Sequence, residues 1–209
     1  VTGLGARFSA LARRAGATQD PAPLRDALLA AWSEPARHYH DVRHLEDCLS
    51  QLDEHEVTPA TRDLLELALW FHDAVYDPRA TDNEERSARW ATEALAAAGI
   101  PAAAVNEVAR LVRLTREHGT ASDEAGRLIC DIDLSILGRP VEVFDAYERR
   151  IRSEYRWVSE EVFRDGRTRI LEGFLRRAPL FQTDAFRRRF EASARANLRR
   201  ALAALAGST

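Results

Sequence analysis

Apolar residues recur three and four positions apart along most of this chain, the spacing that lines one face of an α-helix. Leu4 to Ala15 forms a first such segment. Asp20 with Pro21 opens a second, which carries Leu24, Leu28, Leu29 and Trp32 and is closed by Pro35. A third runs from about Asp41 to His55 on a stripe of Leu45, Cys48, Leu49 and Leu52. Thr58-Pro59 opens a fourth, rich in leucine and closed by Pro78. The spacing in Thr81-Asp82-Asn83-Glu84 is that of a capping box for a fifth helix, which stops at Gly99. A sixth spans Ala102 to Glu117. The seventh begins at Ser122 and ends at Gly138, the eighth runs from Pro140 to about Trp157, the ninth follows Ser159, and the last covers Thr183 to Ala206. No stretch alternates apolar and polar residues around a hairpin turn, so strands are not expected. The fold class predicted is all-α: a single helical bundle of about ten helices in one domain, 1–209, with a core over about 37–138 and C-terminal helices 140–206 packed on it.

Composition narrows the picture only slightly. With 209 residues, 45% apolar and 30% charged, the chain has the balance of a water-soluble globular protein large enough to bury a core. No apolar run approaches a membrane span, and Val1 to Ala17 reads as an amphipathic helix rather than a signal sequence. Two cysteines, Cys48 and Cys130, are too few and too far apart for a disulfide framework or a zinc knuckle, so a reducing cytoplasm is the expected compartment. The net charge of −3 gives no attraction to a nucleic-acid polymer. Every basic residue is arginine, so any side chain that clamps an oxyanion by charge is a planar, bidentate donor. The arginines between Arg187 and Arg200 are interleaved with Phe186, Phe190, Leu198, Asp184 and Glu191, which reads as a solvated amphipathic face.

Candidate chemistry sits where ionisable residues interrupt apolar runs. His72 and Asp73 follow Leu64, Leu65, Leu67, Ala68, Leu69, Trp70 and Phe71 and precede Ala74, Val75 and Tyr76. Burying such a pair is costly without a partner, and a cation satisfies both groups at once. A plain hydrogen-bonded pair at a helix end is the alternative. His40 and His44 lie four positions apart, on one face if the third helix includes both. Asp131 and Asp133 lie within the apolar run of the seventh helix. Imidazoles with hard carboxylates suit a divalent ion, Mn, Mg, Ni, Fe or Zn, in a site that keeps waters.

Tyr39-His40-Asp41-Val42-Arg43-His44, Phe71-His72-Asp73 and Asp131-Ile132-Asp133-Leu134 together resemble the His-Asp (HD) superfamily of metal-dependent phosphohydrolases. The first block is also similar to the Tyr-His-Asn-x-x-His stretch of cyclic-nucleotide phosphodiesterases. Further likeness to an uncharacterised bacterial subgroup of predicted HD hydrolases runs through Asp82 to Ala88, Thr115 to His118, Asp131 to Gly138 and Ile151 to Tyr155, covering about Arg37 to Asn197. The resemblance implies an HD-domain, phosphodiesterase-like fold. It implies metal ligands His44, His72, Asp73 and Asp133, with Asp133 preferred to Asp131 because Asp133-Leu134-Ser135-Ile136-Leu137-Gly138 fits the family pattern. Asp131 would then support the site from behind.

Catalytic roles implied are a proton donor at His40 and the metal-bound Asp73. Glu84 and Glu85, at the start of the fifth helix, are candidates to orient the attacking water, with a plain dipole-friendly helix cap as the alternative reading. Asn83, Arg116, His118 and Arg152 are the candidates for holding substrate. Phosphodiesterases carry Asn after the first histidine and His four residues after the His-Asp pair. Asp41 and Asp77 stand there instead, so cyclic-nucleotide specificity is not implied. The expected activity is hydrolysis of a phosphate mono- or diester, plausibly a nucleotide, by a metal-activated water. Two other readings stand beside it: an HD-fold di-iron oxygenase using His118 with Asp77 or Glu85, and a non-catalytic nucleotide-binding module. The partner is a small phosphoester; neither membrane nor nucleic-acid polymer is expected, and homo-oligomerisation is left open.

Overall fold

A computed structural model describes residues 2–207. They form ten α-helices and one 3-10 helix, and no strand among the described residues. The helices are α1 (Thr2–Arg14), α2 (Ala22–Trp32), α3 (Val42–Asp53), α4 (Pro59–Phe71), α5 (Asn83–Ala97), α6 (Ala102–Leu114) and α7 (Glu124–Asp133). After the 3-10 turn Leu134–Gly138 come α8 (Val141–Glu154), α9 (Glu160–Arg176) and α10 (Asp184–Gly207). The all-α class is as the periodicity predicts. The chain divides into two compact units, Val1–Ile129 and Cys130–Thr209. No helix among the described residues is long and apolar enough to cross a membrane.

The N-terminal unit is wrapped around α4, which touches α1, α3, α5 and α6. Every residue from Leu65 to Phe71 is therefore buried, including the charged Glu66. Glu66 is tolerated because Arg7 of α1 donates to it at 2.7 Å while also gripping Asp53 of α3. Trp70 stacks edge-on against Phe8 with ring centres 5.0 Å apart. Truncating an aromatic ring so enclosed costs about 3–5 kcal/mol. Thr58 caps α4 with Pro59 in its first turn, as its sequence predicts. At Gly99 the backbone is left-handed (φ 82°), and a Cβ there would lie 2.1 Å from Thr18 Oγ1, which makes it a firm stop for α5.

Several helix ends depart from expectation. α4 stops at Phe71 instead of reaching Pro78. Side chains from elsewhere claim the backbone that would have continued it. Arg37 takes the carbonyls of Asp73 and Ala74, Ser87 bonds both backbone groups of Val75, and Asn83 bonds both those of Asp77. The same engagement of Asn83 displaces the capping box: Asp82 occupies the cap position of α5 without a side-chain bond. α6 ends at Leu114, where His118 adopts a left-handed φ of 47° and its N–H closes onto Leu114 O. α3 starts at Val42 with Asp41 as its cap, so His40 lies before the helix.

In the C-terminal unit, α10 packs against α9 and the 3-10 turn, which also touches α8. The approach is close at Gly138: a Cβ there would meet Phe190 Cβ at 2.5 Å and its backbone oxygen at 2.9 Å. Phe181, Phe186 and Phe190 form a ring cluster with centres 5.5–6.0 Å apart.

Candidate metal centre

Two stretches of the N-terminal unit converge on one point. His44 stands in the first turn of α3, fixed by the Asp41 cap, and His72 and Asp73 stand where α4 is peeled open. All three are buried. His72 Nδ1 lies 2.8 Å from Leu69 O. A carbonyl only accepts, so Nδ1 carries the ring proton and Nε2 presents a lone pair. That Nε2 faces His44 Nε2 at 3.1 Å and Asp73 Oδ2 at 3.1 Å, with His44 Nε2 3.7 Å from the same carboxylate oxygen. The His72 lone pair thus points toward a second imidazole nitrogen and a carboxylate oxygen, an arrangement that a cation can bridge.

The spacing can be tested against such an ion. Donors bound at about 2.1 Å to one metal lie roughly 3.0 Å apart at a right angle and roughly 3.4 Å apart at the tetrahedral angle. The two 3.1 Å separations fall in that range, and the 3.7 Å one corresponds to a wider angle of about 124°. Cys48, one turn beyond His44, belongs to the same group: the donor atoms of His44, Cys48 and His72 lie within 4.8 Å of one another. The residues present are therefore a buried His/Cys/His/Asp cluster able to chelate a metal ion.

Around the cluster the walls are aromatic. Trp32, whose indole N–H donates to Trp70 O at 3.0 Å, sets its ring 5.5 Å from that of His72 and 6.3 Å from that of His44. Tyr39 lies 4.8 Å from the His44 ring. His40 stacks on Tyr76 with centres 4.2 Å apart and stands 5.9 Å from His44, so the two histidines are neighbours although no helix joins them. Arg37 binds the region together. Its buried guanidinium reaches the carbonyls of His40, Asp73 and Ala74 and lies 5.7 Å from both the Trp32 and Tyr76 rings.

Asp133 is the last residue of α7, in the C-terminal unit, and is half-buried. Asp131 accepts from Gln182 N, Thr183 N and Thr183 Oγ1, each at 2.7 Å, so it anchors the start of α10. Glu84, Glu85 and Arg116 share a cleft of about 280 Å³ between the start of α5 and the end of α6. Arg113 donates to both oxygens of Glu85 and holds its carboxyl below the usual range. Asn83 is committed to the Asp77 backbone, and His118 forms the left-handed stop after α6. Arg152 braces the turn between α8 and α9, bonded to Glu160 at 2.8 Å and Tyr155 O at 2.8 Å.

Sequence reading missed Cys48 and Arg37. A cysteine on an apolar stripe reads as core, yet its place four residues after His44 was a signal that it shares that histidine's face. Arg37 had no such signal, because its partners are 36 and 37 positions away.

No protein-family model matches the chain, and no curated protein or solved structure matches it either.

Proposed function

We propose that this protein is a metal-dependent phosphohydrolase of HD type, acting on a phosphate mono- or diester such as a nucleotide. The observation that carries the reading is the convergence of His44 Nε2, His72 Nε2 and Asp73 Oδ2, with His72 locked in the metal-binding tautomer by Leu69 O. His44, His72 and Asp73 would hold the ion. Asp133 would complete the set, since Asp131 next to it is already engaged by Gln182 and Thr183. When bound, a divalent ion supplies a water of lowered pKa and a Lewis-acid contact for a phosphoryl oxygen.

The chain's own groups would do the rest. His40, half-exposed beside the cluster and stacked on Tyr76, would protonate a leaving oxygen at the edge of the site. Trp32 and Tyr39 keep the site's inner wall apolar, which strengthens charge interactions within it. Arg116, with Glu84 beside it, would meet the substrate's phosphate or its counter-charge in the α5–α6 cleft. The two units would then act as one HD-type domain.

The test is to strip the purified protein with a chelator, refill it with Mn, Mg, Ni, Fe, Zn or Co in turn, and assay a panel of phosphomonoesters, phosphodiesters and nucleotides. Metal-dependent turnover, lost in His72→Gln and Asp73→Asn while the helical signal persists, is the expected result. Folded, metal-loaded protein silent on every phosphoester, or two irons per chain with an oxidised product, would overturn the reaction class.

A further inference from the structure

Resting on the reading of the His/Asp cluster as a metal centre, we propose that Cys48 Sγ is one of its ligands. The centre is then a mixed sulfur, nitrogen and oxygen site that selects a borderline ion, zinc or cobalt, over magnesium or manganese. The resemblance gave the site only imidazole and carboxylate donors, which suit hard ions as well as borderline ones. Cys48 changes that chemistry.

Position comes first. Cys48 follows His44 by one helical turn, so both side chains leave α3 on the same face. The residue is 2% exposed, and its sulfur lies 3.7 Å from His44 Nε2 and 3.8 Å from Nδ1. A nitrogen at about 2.1 Å and a sulfur at about 2.3 Å from one tetrahedral ion lie roughly 3.6 Å apart. The Nε2–Sγ distance is close to that value. The near-equal approach to Nδ1 puts the sulfur beside the ring face, so sharing an ion requires the His44 ring to turn and aim Nε2 toward the sulfur. A ring nitrogen of His72 lies within 4.8 Å of the Cys48 sulfur, which also approaches His44, so the thiol addresses both histidines.

Cys130 supplies the contrast. It too is buried, but among apolar residues and two acids, and burial with Asp133 and Asp131 pushes its thiol up to about 12. A sulfur so placed stays protonated and acts as core. Ligation at Cys48 exchanges the S–H bond for a sulfur–metal bond, and the proton leaves to solvent with no change in oxidation state. Thiolate in the ligand set favours zinc and cobalt strongly over ions that prefer oxygen alone.

Cobalt(II) tests this directly. The chelator-stripped full-length chain is titrated with cobalt in the wild type, Cys48→Ser, Cys48→Ala and Cys130→Ala. Visible ligand-field bands report an ion held by the histidines and aspartate. A near-ultraviolet sulfur-to-cobalt charge-transfer band reports a thiolate ligand.

The expected result is both signals in wild type and Cys130→Ala, and visible bands alone in the two Cys48 variants. Zinc affinity should fall at least about tenfold in those variants while manganese affinity stays nearly constant. Visible bands without the charge-transfer band in the wild type would overturn the role of Cys48 and leave the metal centre standing. Absence of both signals in folded wild type would overturn the metal centre itself. If the Cys48 variants fail to fold, the band in wild type and its retention in Cys130→Ala still decide the matter, because the chain has no third cysteine.

Discussion

Two buried polar clusters in this molecule are built on opposite rules. In the C-terminal unit, donors meet acceptors. The Asp131 carboxylate takes three donors from the start of α10, Arg167 donates to Glu148 and to Tyr147 Oη, and Asn197 donates to the carbonyls of Leu137 and Arg139 at 2.9 Å each. In the N-terminal unit, two imidazole nitrogens and a carboxylate oxygen face one another across 3.1–3.7 Å. That unit also holds the buried Ser9 hydroxyl, Gln51 amide and Trp70 indole N–H, none of which meets a protein partner. Complementary pairs stabilise a fold by themselves. Three possible ligand atoms converging so closely suit a metal ion, and that difference sets the N-terminal cluster apart.

Substitution can separate the two rules. In the N-terminal cluster, His72→Gln and Asp73→Asn should cut turnover at least about a hundredfold and abolish stoichiometric metal uptake, read by metal analysis, with little change in helical signal. Asp131→Ala should do the reverse. It strands Gln182 N, Thr183 N and the Thr183 hydroxyl and should lower unfolding free energy by about 3 kcal/mol, read by denaturant titration, while metal content per folded molecule is unchanged. If Asp131→Ala instead abolished metal uptake at full stability, the contrast would collapse.

A smaller loss tests the packing of the C-terminal unit alone. Gly138→Ala forces a methyl against Phe190 Cβ and backbone, where only a shift of α10 relieves it, so a loss of about 2 kcal/mol is expected in the same titration. In the N-terminal unit, Arg37→Lys keeps the charge but removes the fork that holds three carbonyls at once. Arg37 is a positioning residue: it fixes the backbone from which Asp73 projects. Metal affinity should fall about tenfold, measured by competition with a chromophoric chelator, a loss typical of residues that orient ligands. An unchanged affinity with lowered stability would reduce Arg37 to a structural brace.

Periodicity and caps were enough to read the fold class and helix order, because each helix carries its own apolar stripe and most begin at a local signal such as Thr58-Pro59 or Ser159. Endings were read less well. The close of α4 is decided by Arg37, Ser87 and Asn83, and no window around Phe71 contains them. The same distance hid the task of Asp131, whose partners lie 51 and 52 positions on. In the site, His72 and Asp73 stood out as charge inside an apolar run, whereas Cys48 blended into one. A thiol is apolar enough to pass as core, and only the sulfur's approach to His44 distinguishes it.

The smallest effect expected is also the one of opposite sign. Gln51 lies on the stripe of α3 that carries His44 and Cys48, is fully buried, and meets no protein partner at either amide atom. Burying an amide without hydrogen bonds costs about 1–3 kcal/mol. Methionine has nearly the same shape and flexibility without the polar atoms, so Gln51→Met should raise stability by about 1 kcal/mol and shift the melting temperature up by roughly 2–4 °C. Metal content and cobalt spectrum should not move, because Gln51, although one helical turn from Cys48, supplies no ligand atom. A fall in stability would mean that buried water already satisfies the amide. Gln51 would then join the complementary groups of the C-terminal unit, and the contrast between the two units would rest on the convergence of ligand atoms at His44, His72 and Asp73.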